Sequence, residues 1–317
     1  MFLLLLSLTA VISAWILFWY LWPRPLGQLM LALERTRAGM RPRTVTSNGI
    51  DWHLLAGGHG EPLVLLHGFN ADSDHFSRIG RHLNTHFRVI APDLPGFGLT
   101  RYREPLDFSM EAQARRVLEL LDVMDIERFY LGGSSMGGLV ACTMARIAPQ
   151  RMRALWLLNP GGLHQAPLSP LLQTISDGGK NALVVRNRRD FVQLMDHCFV
   201  SPPWVPGPVW RLAADRAARR QNLAEIIFAA MRFESAPLEA LAPGIDIPAL
   251  VVWGRDDRVL HSDSLAILGN LMPQSKTLMM PDTGHLPILE KPRESAEAWI
   301  SYAESLAQHF VHDSGRV

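Results

Sequence analysis

The chain has 317 residues, enough for one large or two small domains around a substantial buried core. Lysine and arginine number 31 against 30 aspartates and glutamates, a net charge of +1, and no basic cluster supplies the footprint of a nucleic-acid binder. The two cysteines, Cys142 and Cys198, form neither a disulfide framework nor a metal-ligand spacing, and no cofactor or metal is implied.

Phe2 to Trp22 carries no charged residue. At about 1.5 Å per residue this run reaches roughly 31 Å, the thickness of a bilayer's hydrocarbon core. Trp15, Phe18, Trp19, Tyr20 and Trp22 gather in its C-terminal half, as interfacial aromatics do, and Pro23-Arg24-Pro25 ends it. A cleavable signal peptide would need a basic start and a small-x-small cleavage site, and the run has neither. The expectation is a retained transmembrane anchor over residues 1–23. It gives a single-pass membrane protein, placed in the inner membrane if the source is bacterial.

Leu26, Leu29, Met30 and Leu33 then fall at i, i+3, i+4 and i+7, one face of a helix. Residues 24–43 read as a juxtamembrane amphipathic helix whose apolar face takes the bilayer, the protein's own body or a second copy. A homodimer through the anchor and this helix is one expectation. Arg35, Arg37, Arg41 and Arg43 follow the span and no basic residue precedes it, which favours a cytoplasmic body.

From Thr44 the pattern alternates between strands and helices. Arg43–Thr46 and Trp52–Ala56 pair around an Asn48-Gly49 turn, and Gly57-Gly58-His59-Gly60 reads as a second hairpin loop. Leu63–Leu66 is a short all-apolar run, the mark of a buried parallel strand. Helix His75–Leu83, strand Arg88–Ala91 and helix Met110–Met124 follow, then strand Arg128–Leu131, helix Leu139–Ile147 and strand Ala154–Leu158. Strand Ala249–Trp253, helix Ser262–Leu271, strand Lys276–Met280 and helix Arg293–Phe310 complete the chain. Strands separated by helices predict a doubly wound, mostly parallel sheet, which binds ligands at the carboxyl ends of its strands.

One such end is Gly133-Ser134-Ser135-Met136-Gly137, a G-x-S-x-G turn between a strand and a helix. The turn needs glycines because its flanking backbones nearly touch, and it pushes the central hydroxyl, that of Ser135, out of the fold. A nucleophilic serine needs a base and an acid that orients the base. His285 follows one predicted strand and the Asp256-Asp257 pair follows another, both at the same edge. An oxyanion would be met by the backbone N–H of Met136, just after the serine, and by that of Phe69 in the loop after Leu66.

His67-Gly68-Phe69, Asp93-Leu94-Pro95-Gly96-Phe97-Gly98, Gly133–Gly137, Trp253-Gly254-Arg255-Asp256-Asp257 and Gly284-His285, in this order, resemble the α/β-hydrolase superfamily. The N-terminal span, Leu21-Trp22-Pro23 and Asn159–Leu163 sharpen the likeness to membrane-anchored monoacylglycerol lipases and related bacterial lipases and phospholipases A. The resemblance implies an eight-stranded α/β-hydrolase core over residues 44–160 and 247–317, with a helical cap over 161–246. It implies Ser135, Asp257 and His285 as the catalytic triad, choosing Asp257 over Asp256 because the acid stands three residues after the glycine. Phe69 and Met136 map to the oxyanion hole, and His67 reads as a residue that shapes the loop before Phe69.

The cap segment is rich in Leu, Phe, Met and Trp, as an acyl-chain pocket and a cap core both require. These features together predict a membrane-anchored serine carboxylester hydrolase. It would cleave lipid acyl esters (monoacylglycerol, lysophospholipid or phospholipid) through an acyl-enzyme and release fatty acid. Two other readings share the motifs: a hydrolase of C–C bonds in dienoic ring-fission products, and a non-catalytic membrane scaffold.

Overall fold

The computed structural model describes residues 23–103 and 105–314. Alternation along the strands sets its layers. In β3 (Glu61–Leu66), Val64 and Leu66 enter one buried apolar cluster while Leu63 and Leu65 enter another on the opposite face. Side chains alternate across a strand, so a run that is apolar throughout requires cover on both sides.

Nine strands make one sheet: β1 (Met40–Ser47), β2 (Ile50–Gly57), β3, β4 (Phe87–Pro92), β5 (Arg101–Tyr102), β6 (Phe129–Ser134), β7 (Met152–Leu158), β8 (Ala249–Gly254) and β9 (Lys276–Met280). The spatial order is β1-β2-β4-β3-β6-β7-β8-β9, and the two-residue β5 pairs with β2 beside this path. Pairing is antiparallel among β1, β2, β4 and β5 and parallel from β4 through β3 to β9. The eight expected strands are the eight of the main path, with β5 additional.

Helices cover both faces. The first cluster packs under α3 (Met110–Val123), α4 (Met136–Ile147) and α10 (Ser264–Leu271). The second packs under α2 (Ser77–Leu83) and the long α12 (Pro292–Ser314), where Trp299 stacks on Trp156 at 5.3 Å between ring centroids. In α4 every residue from Met136 to Ala145 is buried, so the helix behind the G-x-S-x-G turn is a core element.

Between β7 and β8 lie α5 (Pro170–Ser176), α6 (Arg188–Cys198), α7 (Gly207–Arg219), α8 (Gln221–Phe233) and α9 (Leu238–Leu241). A third apolar cluster, including Leu171, Phe191, Leu194 and Ala217, ties α5, α6 and α7 together. The proline-rich stretch 202–208 joins α6 to α7. Within the expected cap, Ile227, Ala230, Leu238, Ala242 and Ile245 are buried in the main cluster of the sheet.

Two expectations are corrected at the amino-terminal side. The first helix, α1 (Pro23–Arg37), ends six residues before Arg43, and the strand register with β2 begins at Met40. Its packed face is Leu26, Gly27 and Leu31, whereas Leu29 and Leu33 are exposed. The reason is close approach to α7: a Cβ on Gly27 would stand 2.7 Å from the Pro208 carbonyl oxygen. Gly57–Gly60 is not a hairpin loop either, because β4 lies between β2 and β3 and the loop carries the chain over it. Among the described residues no helix is long and apolar enough to cross a membrane. The anchor expected over residues 1–23 lies, apart from Pro23, outside the described residues.

Candidate active site

The carboxyl ends of β3, β6, β8 and β9 lie along one edge, and each releases a loop that holds one part of the site. The chain turns sharply after β6. Ser135 has φ 53° and ψ −117°, a conformation costing of order 1–3 kcal/mol that persists only when its surroundings enforce it. Enforcement is visible in the backbone: Ser135 N–H donates to Leu158 O, and Ser135 O accepts from Gly138 and Gly161, all near 2.9 Å. Side chains are excluded around it, since a Cβ on Gly133 would meet Gly137 O at 2.2 Å and one on Gly137 would meet Leu66 O at 2.2 Å. Ser134, the neighbouring hydroxyl, is buried with no partner for its Oγ, while Ser135 opens on a cavity of about 620 Å³.

His285 opens on the same cavity. Its Nδ1 lies 2.8 Å from Asp257 Oδ2, and the pair is almost wholly buried. Asp257 is held from three further directions, accepting from Asn159 Nδ2 at 2.7 Å and from the backbone of Val259 and Leu260 at 2.8 and 3.0 Å. A carboxylate so fixed orients the imidazole with Nδ1 protonated and leaves Nε2 to act on the cavity side. Asp256 is exposed, so the two adjacent aspartates are physically distinct.

Met136 follows Ser135 directly, and Phe69 lines the cavity on which Ser135 opens. Met136 is the first residue of α4, where N–H groups lack helical acceptors and the helix dipole adds partial positive charge. Phe69 stands in the loop after β3, and its ring meets Phe97 and Phe228 edge-on at 5.6 and 6.0 Å. His67 pins this loop: its Nε2 accepts from Leu94 N–H at 2.9 Å, which leaves Nδ1 protonated to donate to Gly68 O at 2.8 Å. Burial depresses its basicity and keeps it neutral. Asp93, buried beside it, accepts from His53, Ser73 N–H and Leu99 N–H, so the Asp93–Gly98 motif braces the loop.

Two supports were given no role by the sequence, although Asn159 opens the Asn159–Leu163 stretch. Asn159 ends β7 in a left-handed conformation (φ 44°) and reaches Asp257 across the sheet edge. Glu290, at the end of α11 (Pro287–Glu290), accepts from Gly284 N–H at 2.7 Å and from Val200 and Ser201 N–H at 2.7 and 2.6 Å. It thereby ties the His285 loop to the end of α6. Both cysteines are buried, and burial pushes the Cys142 thiol up to about 12 and the Cys198 thiol higher still, so neither competes as a thiolate.

A hydroxyl on a strained turn and a buried, oriented imidazole on the same cavity are parts that acyl transfer requires. Comparison with known proteins agrees with this chemistry. Lipase 1 of Psychrobacter immobilis is 29% identical over 286 residues, covering 88% of this chain and 89% of the lipase. A monoacylglycerol lipase of Homo sapiens is 23% identical over 313 residues, covering 95% and 93%. The crystal structure of a membrane phospholipase A, described as a bacterial virulence factor, superposes with a TM-score of 0.87 at 32% identity, covering 96% of this chain and 98% of that one. Residues 61–292 match the family described as the alpha/beta hydrolase fold, and the chain belongs to that family.

Proposed function

We propose that this protein is a lipid-directed serine ester hydrolase in which Ser135 is the nucleophile, His285 the base and Asp257 its orienting acid. The observation that carries the reading is the buried 2.8 Å contact of His285 with Asp257 on the cavity that Ser135 enters from its strained turn. Ser135 Oγ attacks the ester carbonyl while its proton passes to His285 Nε2. The oxyanion faces the N–H groups of Phe69 and Met136, where one such donor is worth about 10²–10³ in turnover. Collapse expels the alcohol, which takes the proton from His285 and leaves the acyl group on Ser135. Water activated by His285 then frees the fatty acid.

Lipid acyl esters are the substrate class. The cavity is walled mainly by apolar side chains, among them Leu172, Phe191, Leu194, Trp210 and Leu286, suited to an acyl chain. The names of the related proteins, two of them lipases and one a membrane phospholipase A, support the same class. Membrane attachment is part of the proposal: residues 2–22 are long and apolar enough to span, and Leu29 and Leu33 of α1 stay exposed for lipid or for a second copy.

A fluorophosphonate probe and a panel of nitrophenyl esters test the reading. Wild-type protein should be labelled and active, and Ser135→Ala should lose both while its thermal transition is retained. Labelling that survives in Ser135→Ala, or a wild-type protein inert to probe and esters, would overturn it.

A further inference from the structure

Arg78, Arg216, Arg220 and Arg232 line the cavity, Arg232 lying over the ring of Phe233, and Arg35 binds Asp74, a further lining residue. Arg35 holds Asp74 through two contacts of 2.5 and 2.6 Å, Arg78 holds Glu34 at 2.8 Å, and Arg216 stands 3.4 Å from Asp72. Arg220 differs. It lines the cavity half-buried, donates to the Gly98 carbonyl, and has no carboxylate within ion-pair distance among the described residues. A guanidinium presents five donors, and a half-buried cation beside another cation is costly unless an anion meets it. Burial lowers its pKa; the charge of Asp72, beyond ion-pair distance, opposes this most, Arg216 and Arg219 lower it further, and Asp93 raises it.

The position of Arg220 says which anion. Val209, Trp210, Ala213, Arg216 and Ala217 of α7, with Arg220 just beyond its end, form the helix's cavity-facing stripe. The stripe grades from apolar to cationic over roughly 16 Å at 1.5 Å per residue. At its cationic end, the carbonyl that Arg220 grips is one residue from Phe97, whose ring meets that of Phe69. Arg220 and the Phe69 loop thus line one cavity with Ser135, and the apolar end of the stripe suits the acyl chain. A guanidinium fork matches phosphate oxygens in pairs.

Building on the ester-hydrolase reading, we infer that Arg220, flanked by Arg216, is a phosphate-recognising subsite that selects acyl glycerols carrying a phosphate head group over neutral ones. The nearby carboxylates do not oppose this, since Asp72 and Asp74 face Arg216 and Arg35.

The test uses full-length protein in detergent micelles. It compares kcat/KM for a lysophosphatidylglycerol with kcat/KM for the monoacylglycerol of the same chain. The ratio of the two should fall about ten- to a hundredfold in Arg220→Gln, the range for losing a charged hydrogen bond, and less in Arg220→Lys, which keeps the charge without the fork. A ratio unchanged in both variants overturns the subsite. If Arg220→Gln fails to fold by its thermal transition, the ratio in Arg220→Lys decides alike. Inorganic phosphate is the competing source. If it inhibits monoacylglycerol turnover through Arg220 while the lysophospholipid ratio stays fixed, the site takes the free ion and the head-group assignment is overturned. Wild-type protein that cleaves the monoacylglycerol but not the lysophospholipid overturns the subsite alone. Protein that cleaves neither overturns the ester-hydrolase reading with it.

Discussion

Asn159 and Asp257 are joined by a buried hydrogen bond of 2.7 Å, and the oxygen that accepts it is the one facing His285. One carboxylate oxygen is thus shared by an amide from β7 and an imidazole from the loop after β9. Hydrogen bonds to charged groups are worth about 1.5–3 kcal/mol. Asn159→Gly, which keeps the left-handed backbone, should lower kcat by about tenfold and change KM on a short ester less than about twofold. Steady-state kinetics decides it. An unchanged kcat would mean that the amides of Val259 and Leu260 hold Asp257 unaided.

Glu290 predicts a coupling between cap and site. Its carboxylate gathers N–H groups from Gly284, one residue before His285, and from Val200 and Ser201 after α6. Glu290→Gln keeps the shape and removes the charge that three donors share. It should reduce kcat several-fold and expose the stretch near residue 200 to protease, two effects read on the same sample. A loss of activity without new cleavage would confine Glu290 to the His285 loop.

The sheet was legible where the physics is local. β3, β7 and β8 are buried on both faces and read as unbroken apolar runs, whereas Arg101-Tyr102 has no run to reveal β5. Helix α4 starts at Met136, three residues before the expected Leu139, because Gly137-Gly138 looks like turn until the backbones they admit are seen. The positions of Ser135 and His285 were legible from glycine-framed turns after strands. Asp256 and Asp257 differ only in which one the loop turns inward, which residue type does not encode. Asn159 stands in the Asn159–Leu163 stretch, but its partner lies 98 residues away, so its role was not legible; Glu290 joins Gly284, 6 residues away, to Val200 and Ser201, 90 and 89 residues away, and no motif announces it. The packed face of α1 escaped for the same reason, since Gly27 is chosen by the Pro208 backbone and not by the helix's own leucines.

The glycines near the nucleophile should separate into two classes. A Cβ on Gly137 would stand 2.2 Å from Leu66 O, backbone against backbone, so Gly137→Ala should cost about 3 kcal/mol or more and leave little folded protein. A Cβ on Gly68 would lie 3.2 Å from Ser135 Cβ and 3.8 Å from its Oγ. A shift of a few tenths of an ångström relieves that, so Gly68→Ala should fold and instead lose about tenfold in kcat, its methyl crowding the attacking hydroxyl. Equal thermal losses in the two variants would refute the distinction.

His75 makes stability depend on pH with a definite sign. It lines the cavity; burial, then the neighbouring His67, lower its pKa from 6.5 to about 4, with Asp74 acting oppositely. Between these values the unfolded chain binds a proton that the folded protein refuses, so stability should fall as pH drops from about 6.5 towards 4 and be flat in this respect above. At pH 4.5 the His75 share is about 2–3 kcal/mol, from 1.36 kcal/mol per pKa unit. His67, also lowered, adds with the same sign, and the raised Asp72 and Asp74 act oppositely at the acid end. His75→Gln leaves those groups in place, so the comparison isolates one imidazole. Urea unfolding at pH 7.5 and 4.5 should show the wild type losing about 2–3 kcal/mol more than His75→Gln over that interval. Equal losses in both proteins would mean that His75 takes up its proton in the folded state.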